Sequence, residues 1–185
     1  LHKRHHLLGG EMTQKSTKGD MLEGPWQCLL RMTTIEENTN ALLDAAEKGD
    51  IGLVRDLIPV SAPKEHGSAA LALAAANGHT ECVKLLIPVS NPRAYRSWAL
   101  QQAAENGQIE CVTLLIPVSD PNADESGALF KAAQHGRIDC VVALLPHCGS
   151  KQDARRALRA AAKHGHTECL KLLIPHSDPK ADGNA

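Results

Sequence analysis

The sequence predicts an all-α solenoid of five stacked helix–turn–helix units. Three observations carry that prediction. Five glycines, Gly49, Gly78, Gly107, Gly136 and Gly165, stand 29 residues apart without exception. The same phrase surrounds each: residues 68–96 read SAALALAAANGHTECVKLLIPVSNPRAYR, and 97–125 read SWALQQAAENGQIECVTLLIPVSDPNADE. Within each phrase apolar residues recur at helical spacing and are punctuated by Gly and Pro. A fixed period of this size marks a repeat array, whose units bury their apolar faces only against neighbours. The units are 39–67, 68–96, 97–125, 126–154 and 155–183, preceded by an N-terminal segment, 1–38.

Each unit follows from its residues. Thr39, Ser68, Ser97 and Ser126 are placed as N-caps that accept from the orphan amides of a first helix, helix A. The pattern Ala-Leu then Ala-Ala, as in Ala70, Leu71, Ala74 and Ala75, forms one stripe whose small side chains permit close helix contact. The 29-spaced glycine ends helix A as a residue free to adopt positive φ. Helix B buries Cys82, Val83, Leu85, Leu86 and Ile87, while Glu81 and Lys84 point outward at i, i+3. Pro88 stops it, because the residue before a proline is pushed out of the α region, and 88–96 form the connecting loop. Two helices of about 8–9 residues span only ~13 Å each. Such helices are marginal alone in water, so stability must come from stacking.

Helix, Gly-His, helix with Leu-Leu, then loop resembles the ankyrin repeat. The matching residues are Ala70-Leu71, Ala74-Ala75, Gly78-His79 and Val83-Lys84-Leu85-Leu86, and the resemblance covers 39–183. Two departures stand out: the unit is 29 residues rather than 33, and the Thr-Pro-Leu-His of the family reads Ser-x-Ala-Leu. They argue against the long β-hairpin finger of ordinary ankyrins. The phrase LLIPVSDPKA resembles ankyrin arrays of bacteria, including host-associated ones. The resemblance implies a protein-binding scaffold that recognises another protein across a concave surface of helix A and loops.

Composition sets further limits. Lys plus Arg total 20 and Asp plus Glu 21, a net charge of -1, which argues against nucleic acid as a partner. The longest apolar stretch, Ala69 to Ala76, is far short of a membrane span, and no signal-peptide core follows Lys3 and Arg4. A cytoplasmic setting is expected, or a host cytoplasm if the chain is a delivered effector. The chain starts at Leu1 and stops at Ala185, where another repeat would begin. Both ends read as cuts, so a competing reading is the targeting segment of a larger enzyme or bacterial effector with its catalytic part elsewhere.

Chemistry is not signalled. No Gly-x-Gly-x-x-Gly, Walker loop or Gly-x-Ser-x-Gly elbow is present, so no catalytic residue, cofactor or small-molecule ligand is expected. Cys82, Cys111, Cys140 and Cys169 share one repeat position, with Leu53 in the first unit. Stacked helices lie ~8–10 Å apart, too far for disulfides, whose Cα atoms approach within about 7 Å; these read as small buried hydrophobes. Cys28 and Cys148 fall outside that position. The ten histidines form no zinc signature. His79 and His166 follow the repeat glycine, where the family commonly has a structural, hydrogen-bonding His. His147 and His176 fall in register in the loops without enough convergent ligands for a metal site. In the N-terminal segment, 9–20 read as disordered. Trp26, Leu29, Leu30, Met32 and Ile35 suit either a cap over the first repeat or a linear motif, and Met32 reads well as a natural start.

Comparison between copies separates scaffold from surface. Opposite the Ala/Leu stripe, helix A varies: Asn40, Leu43, Asp44 and Glu47; Ala69, Ala72, Leu73 and Ala76; Trp98, Gln101, Gln102 and Glu105; Gly127, Phe130, Lys131 and Gln134; Arg156, Arg159, Ala160 and Lys163. Loop tips vary too, at His66, Tyr95-Arg96, Asp124-Glu125 and Asp153. Three of the four aromatic residues of the chain, Tyr95, Trp98 and Phe130, lie at these positions, and aromatics and Arg anchor interfaces. The expected partner-binding residues are Tyr95, Arg96, Trp98, Gln101, Gln102, Phe130, Lys131, Arg156 and Arg159. Charge changes sign along the stripe, acidic at Asp44 and Glu47 and basic at Arg156, Arg159 and Lys163, which suits a partner segment with an apolar middle and an acidic end.

Overall fold

The computed structural model describes residues 25–177, with side chains from Thr34 onward. Among these residues there are ten α-helices and no strand. They are α1 (Pro25–Lys48), α2 (Ile51–Leu57), α3 (Ala69–Ala76), α4 (Thr80–Leu86), α5 (Ala94–Asn106), α6 (Ile109–Leu115), α7 (Ala123–Gln134), α8 (Ile138–Leu144), α9 (Lys151–His164) and α10 (Thr167–Leu173). Odd-numbered helices are the A helices and pack in the order α1, α3, α5, α7, α9; even-numbered helices form a second layer, α2 to α10. The result is a solenoid of helix pairs.

The core is the repeated stripe. Leu42, Leu71, Leu100 and Leu129 are fully buried, as are Val54, Val83, Val112 and Val141 of helix B. Alanines such as Ala74, Ala75, Ala103, Ala104, Ala132 and Ala133 fill the space between A helices. Helix B buries Cys82, Val83 and Leu86, with Leu85 and Ile87 half-buried at its edge. The chain leaves each helix B through one 3₁₀ turn carrying the proline, Ile87–Val89 in the second unit.

Each 29-spaced glycine has positive φ, from +66° to +80°, and so reverses the chain between helices A and B as only glycine does without strain. The side chain after it bridges repeats. His79 Nε2 lies 2.9 Å from the Glu47 carbonyl and His166 Nε2 3.0 Å from that of Gln134. Gln108 Nε2 donates to Ala76 O at 3.3 Å and Arg137 Nε to Glu105 O at 3.1 Å. Each ties the start of one helix B to a carbonyl at the end of helix A in the repeat before it, where orphan acceptors need partners.

The expected serine caps are corrected. Ser68, Ser97 and Ser126 make no cap bond; their own φ is positive, at 64°, 60° and 57°. The hydroxyls of Ser68 and Ser97 reach the next loop instead, and that of Ser126 donates to Asp153 Oδ2 in α9 at 3.2 Å. Ser68 Oγ accepts from Asn91 N at 2.7 Å and Ser97 Oγ from Asp120 N at 2.8 Å. Thr39 does not start a helix either: it lies inside α1, donates to Ile35 O at 2.7 Å and accepts from Ala62 N at 3.0 Å. Buried polar groups must be paired, and here the buried hydroxyl satisfies a loop amide 23 residues on. Helix α1 runs through residue 38, and Ile35 is exposed on it. The side chains of Trp26, Leu29, Leu30 and Met32, and the stretch 9–20, lie outside the described residues.

Stacking also explains the cysteines. Cys82, Cys111, Cys140 and Cys169 are buried free thiols facing the preceding repeat, with the Thr80 hydroxyl 3.9 Å from Cys111 Sγ. Leu53, at the same position in the first described helix B, is 44% exposed. Desolvation pushes all four thiol pKa values up, that of Cys140 to about 11.

Candidate functional site

The loops into the third and fourth A helices fix the candidate site. After the proline, Asn91 Oδ1 accepts from Arg93 N at 3.2 Å and Asp120 Oδ1 from Asn122 N at 3.0 Å, closing a side-chain turn. Three consecutive residues then take left-handed conformations: Tyr95, Arg96 and Ser97, and again Asp124, Glu125 and Ser126. This conformation turns the chain outward before helix A resumes. Tyr95 is left 69% exposed at the tip, and Arg96 pairs with Asp124 of the next tip.

Trp98 sits half-buried at the start of the regular part of α5. Gln101 Nε2 donates back to Arg96 O at 2.8 Å, and Gln102 Nε2 reaches Glu105 Oε2 at 3.5 Å. Lys131 Nζ lies 3.2 Å from Glu105 Oε2, with His135 Nε2 3.4 Å from the other oxygen. Phe130 lies under Arg156, whose guanidinium carbon is 4.5 Å from the ring centroid, a cation–π arrangement. Arg156 Nη1 also donates to Asp124 O at 2.9 Å and Glu125 O at 3.3 Å. Arg159 is exposed on the same helix. The helix A surface thus brings these side chains onto one run of α5, α7 and α9.

Two features were not visible in the residues. Ala72, Gly127 and Ala160, assigned to the variable surface, are buried. Their smallness lets neighbours cover them: a side chain added at Gly127 would meet Gln101 at 3.1 Å. Glu105 gathers Lys131 and His135 across the repeat boundary; the only signal was its place in the variable stripe beside a basic neighbour at 131. Between α7 and α9 the surface deepens into a groove of about 610 Å³, with Phe130 and Arg156 in its lining and Arg159 and Lys163 along α9. Among the described residues no group of three or more His, Cys, Asp or Glu side chains is placed to hold a metal, and no helix is long and apolar enough to cross a membrane. His147 and His176 are both exposed.

A family model described as ankyrin repeats, in three copies, matches residues 42–125 and 100–185. The chain belongs to the ankyrin repeat family. Ankyrin repeats are in general protein–protein interaction modules, and their all-helical fold is typically non-catalytic. This ankyrin array carries its repeat in 29 residues, with 3₁₀ and left-handed turns where strands would otherwise stand. No curated protein matches the sequence.

Proposed function

We propose that the array binds a partner protein through the helix A and loop surface centred on α3, α5 and α7. One observation carries the reading. Tyr95, Trp98 and Phe130, three of only four aromatic residues in the chain, lie outside the buried stripe, on successive helices and beside one exposed loop tip. Aromatic side chains supply large contact area at low entropic cost, and they dominate interface energetics. The small surface of Ala69, Leu73 and Ala76 on α3 provides the flat neighbour that lets a partner reach Trp98. Arg96, Gln101, Gln102, Lys131, Arg156 and Arg159 surround this centre with polar groups, as interface rims do.

The test is a comparison of faces. Truncating a central aromatic anchor costs ~2 kcal/mol or more, which is about thirtyfold in Kd. Trp98→Ala is expected to weaken capture of a partner, once isolated with the array as bait, by that factor while helicity is kept. Lys84→Ala removes only the exposed 2.7 Å pair with Glu81 on helix B and should leave binding unchanged. If Lys84→Ala weakens binding as much as Trp98→Ala, the partner uses the opposite layer.

A further inference from the structure

The groove between α7 and α9 has a chemistry of its own. Arg155, Arg156, Arg159 and Lys163 contribute four cations to its walls, against the two acids Glu125 and Asp153. Both acids are already engaged. Asp153 Oδ2 accepts from Ser126 Oγ at 3.2 Å, and Glu125 Oε2 lies 3.4 Å from Arg156 Nη1 while its side chain stands largely in solvent. Arg156 is held from three sides: the Phe130 ring beneath it and the carbonyls of Asp124 and Glu125. All its polar contacts run through Nη1, so its Nε and Nη2 donors are uncommitted among the described residues. A guanidinium presents a planar fork that matches a carboxylate bidentately, and here that fork is already oriented, which lowers the entropic cost of pairing. Lys163 makes no ion pair among the described residues and lies one turn beyond Arg159 on the same helix.

We propose that this groove receives an acidic side chain, Asp or Glu, from the partner segment that the array binds, with Arg156 as the fork and Arg159 and Lys163 attracting the acidic stretch around it. The proposal rests on the protein-binding reading above and specifies the chemistry of the bound segment at the α7–α9 end. The partner therefore runs from an apolar or aromatic-seeking part over α3 and α5 to an acidic part over α9.

Selection of random peptides displayed on phage against the full chain, at physiological salt, tests this without a known partner. Enriched peptides are expected to carry adjacent acidic residues. Their affinity, read by fluorescence anisotropy, should fall about tenfold or more for Arg159→Glu/Lys163→Glu, the scale of a lost charge pair. Arg156→Lys, which keeps the charge but removes the fork, should weaken them as well. Circular dichroism of each variant checks that the array stays folded. Peptides without acidic bias, or acidic peptides indifferent to both variants, would overturn the proposal. Equal competition by inorganic phosphate or by heparin would also overturn it, by making the groove a general anion site. Enriched non-acidic peptides that depend on Trp98 alone would sink this inference and leave the proposed function standing. Acidic peptides that depend on α9 but ignore Trp98→Ala would do the reverse.

Discussion

Gly49 and Gly165 form a matched pair that isolates the energy of one repeat–repeat contact. Both have φ +75°, so an alanine at either pays the same left-handed cost, ~1–2 kcal/mol, partly offset by the smaller entropy of the unfolded chain. Their surroundings differ. Among the described residues a Cβ at Gly165 meets nothing within 4 Å, whereas one at Gly49 would lie 2.5 Å from Nδ1 and 2.8 Å from Cγ of His79. The imidazole is rigid, and moving it breaks its contact to Glu47 O, whose net worth is ~0.5–1.5 kcal/mol. Gly165→Ala should therefore cost ~1 kcal/mol and Gly49→Ala ~2–3 kcal/mol in urea unfolding. A double-mutant cycle with His79→Ala sharpens the test, because without the ring the cost of Gly49→Ala should fall to the Gly165 value. Equal costs at the two glycines, or a cycle with no coupling, would refute the idea that the side chain after each glycine locks the repeats together.

Three further outcomes follow from the packing. Cys148, half-buried in a loop, should alkylate well before Cys82, Cys111, Cys140 and Cys169 in a Cys28→Ser background, because those four thiols are buried; iodoacetamide labelling with mass spectrometry reads the order, and fast labelling of Cys111 would contradict the stacking. The folded pKa of Cys140 is raised from 9.0 to about 11, so folding favours the neutral thiol. Its contribution is present in full below pH ~9 and is lost as pH rises toward about 11; the fall in stability over that window should be shallower in Cys140→Ala. Amide exchange should be faster in 155–177 than in 70–116, since Ile174 is 52% exposed whereas Ile87 and Ile116 at the same repeat position are half-buried; equal protection in dilute monomer would argue that 155–177 is as firmly held as 70–116.

The fold was legible because each repeat states it again. The Gly spacing, the Ala/Leu stripe and the proline after helix B are local rules with local causes, and five copies separate them from noise. What was not legible is what a residue does for its neighbour 23 to 32 positions away. Ser97 looks like a cap because Ser is a good cap; only the stacked structure shows Asp120 N waiting for its oxygen. The same holds for the candidate surface. Between-copy variation pointed to Trp98, Phe130 and Arg156, but variation alone also selected Ala72 and Gly127, which are buried under larger neighbours. The groove depends on Phe130 and Arg156 meeting across a repeat boundary, which no single repeat encodes.

The loops entering α5 and α7 each hold three non-glycine residues in the left-handed region, while the loop entering α9 holds none: Ser150 stands where Pro92 and Pro121 stand in the others, caps α9 by accepting from Asp153 N at 3.2 Å, and lets the helix run unbroken from Lys151 to His164. The sequence thus contains a relaxed version of its own strained loop. Strain of this kind persists where the surroundings hold it, and it gathers at functional positions. Here it displays Tyr95-Arg96 and Asp124-Glu125 at the rim of the proposed binding surface. Replacing residues 120–125 by Gly-Ser-Lys-Gln-Asp-Ala, the sequence of 149–154, should straighten the entry to α7 and keep Asp124, so that Ser97 gains the partner that Ser126 has in Asp153. Relief of the left-handed residues, at ~1–2 kcal/mol each less the lost side-chain turn, should raise stability by about 2 kcal/mol. The same graft removes the Glu125 carboxylate, which lies 3.4 Å from Arg156 Nη1, and straightening the entry draws the carbonyls of residues 124 and 125 into the helix and away from Arg156, so binding should weaken even as the array becomes more stable. A graft that is no more stable than the parent would show that the left-handed turns carry no strain, and a graft that binds as well would show that the tips play no part in recognition.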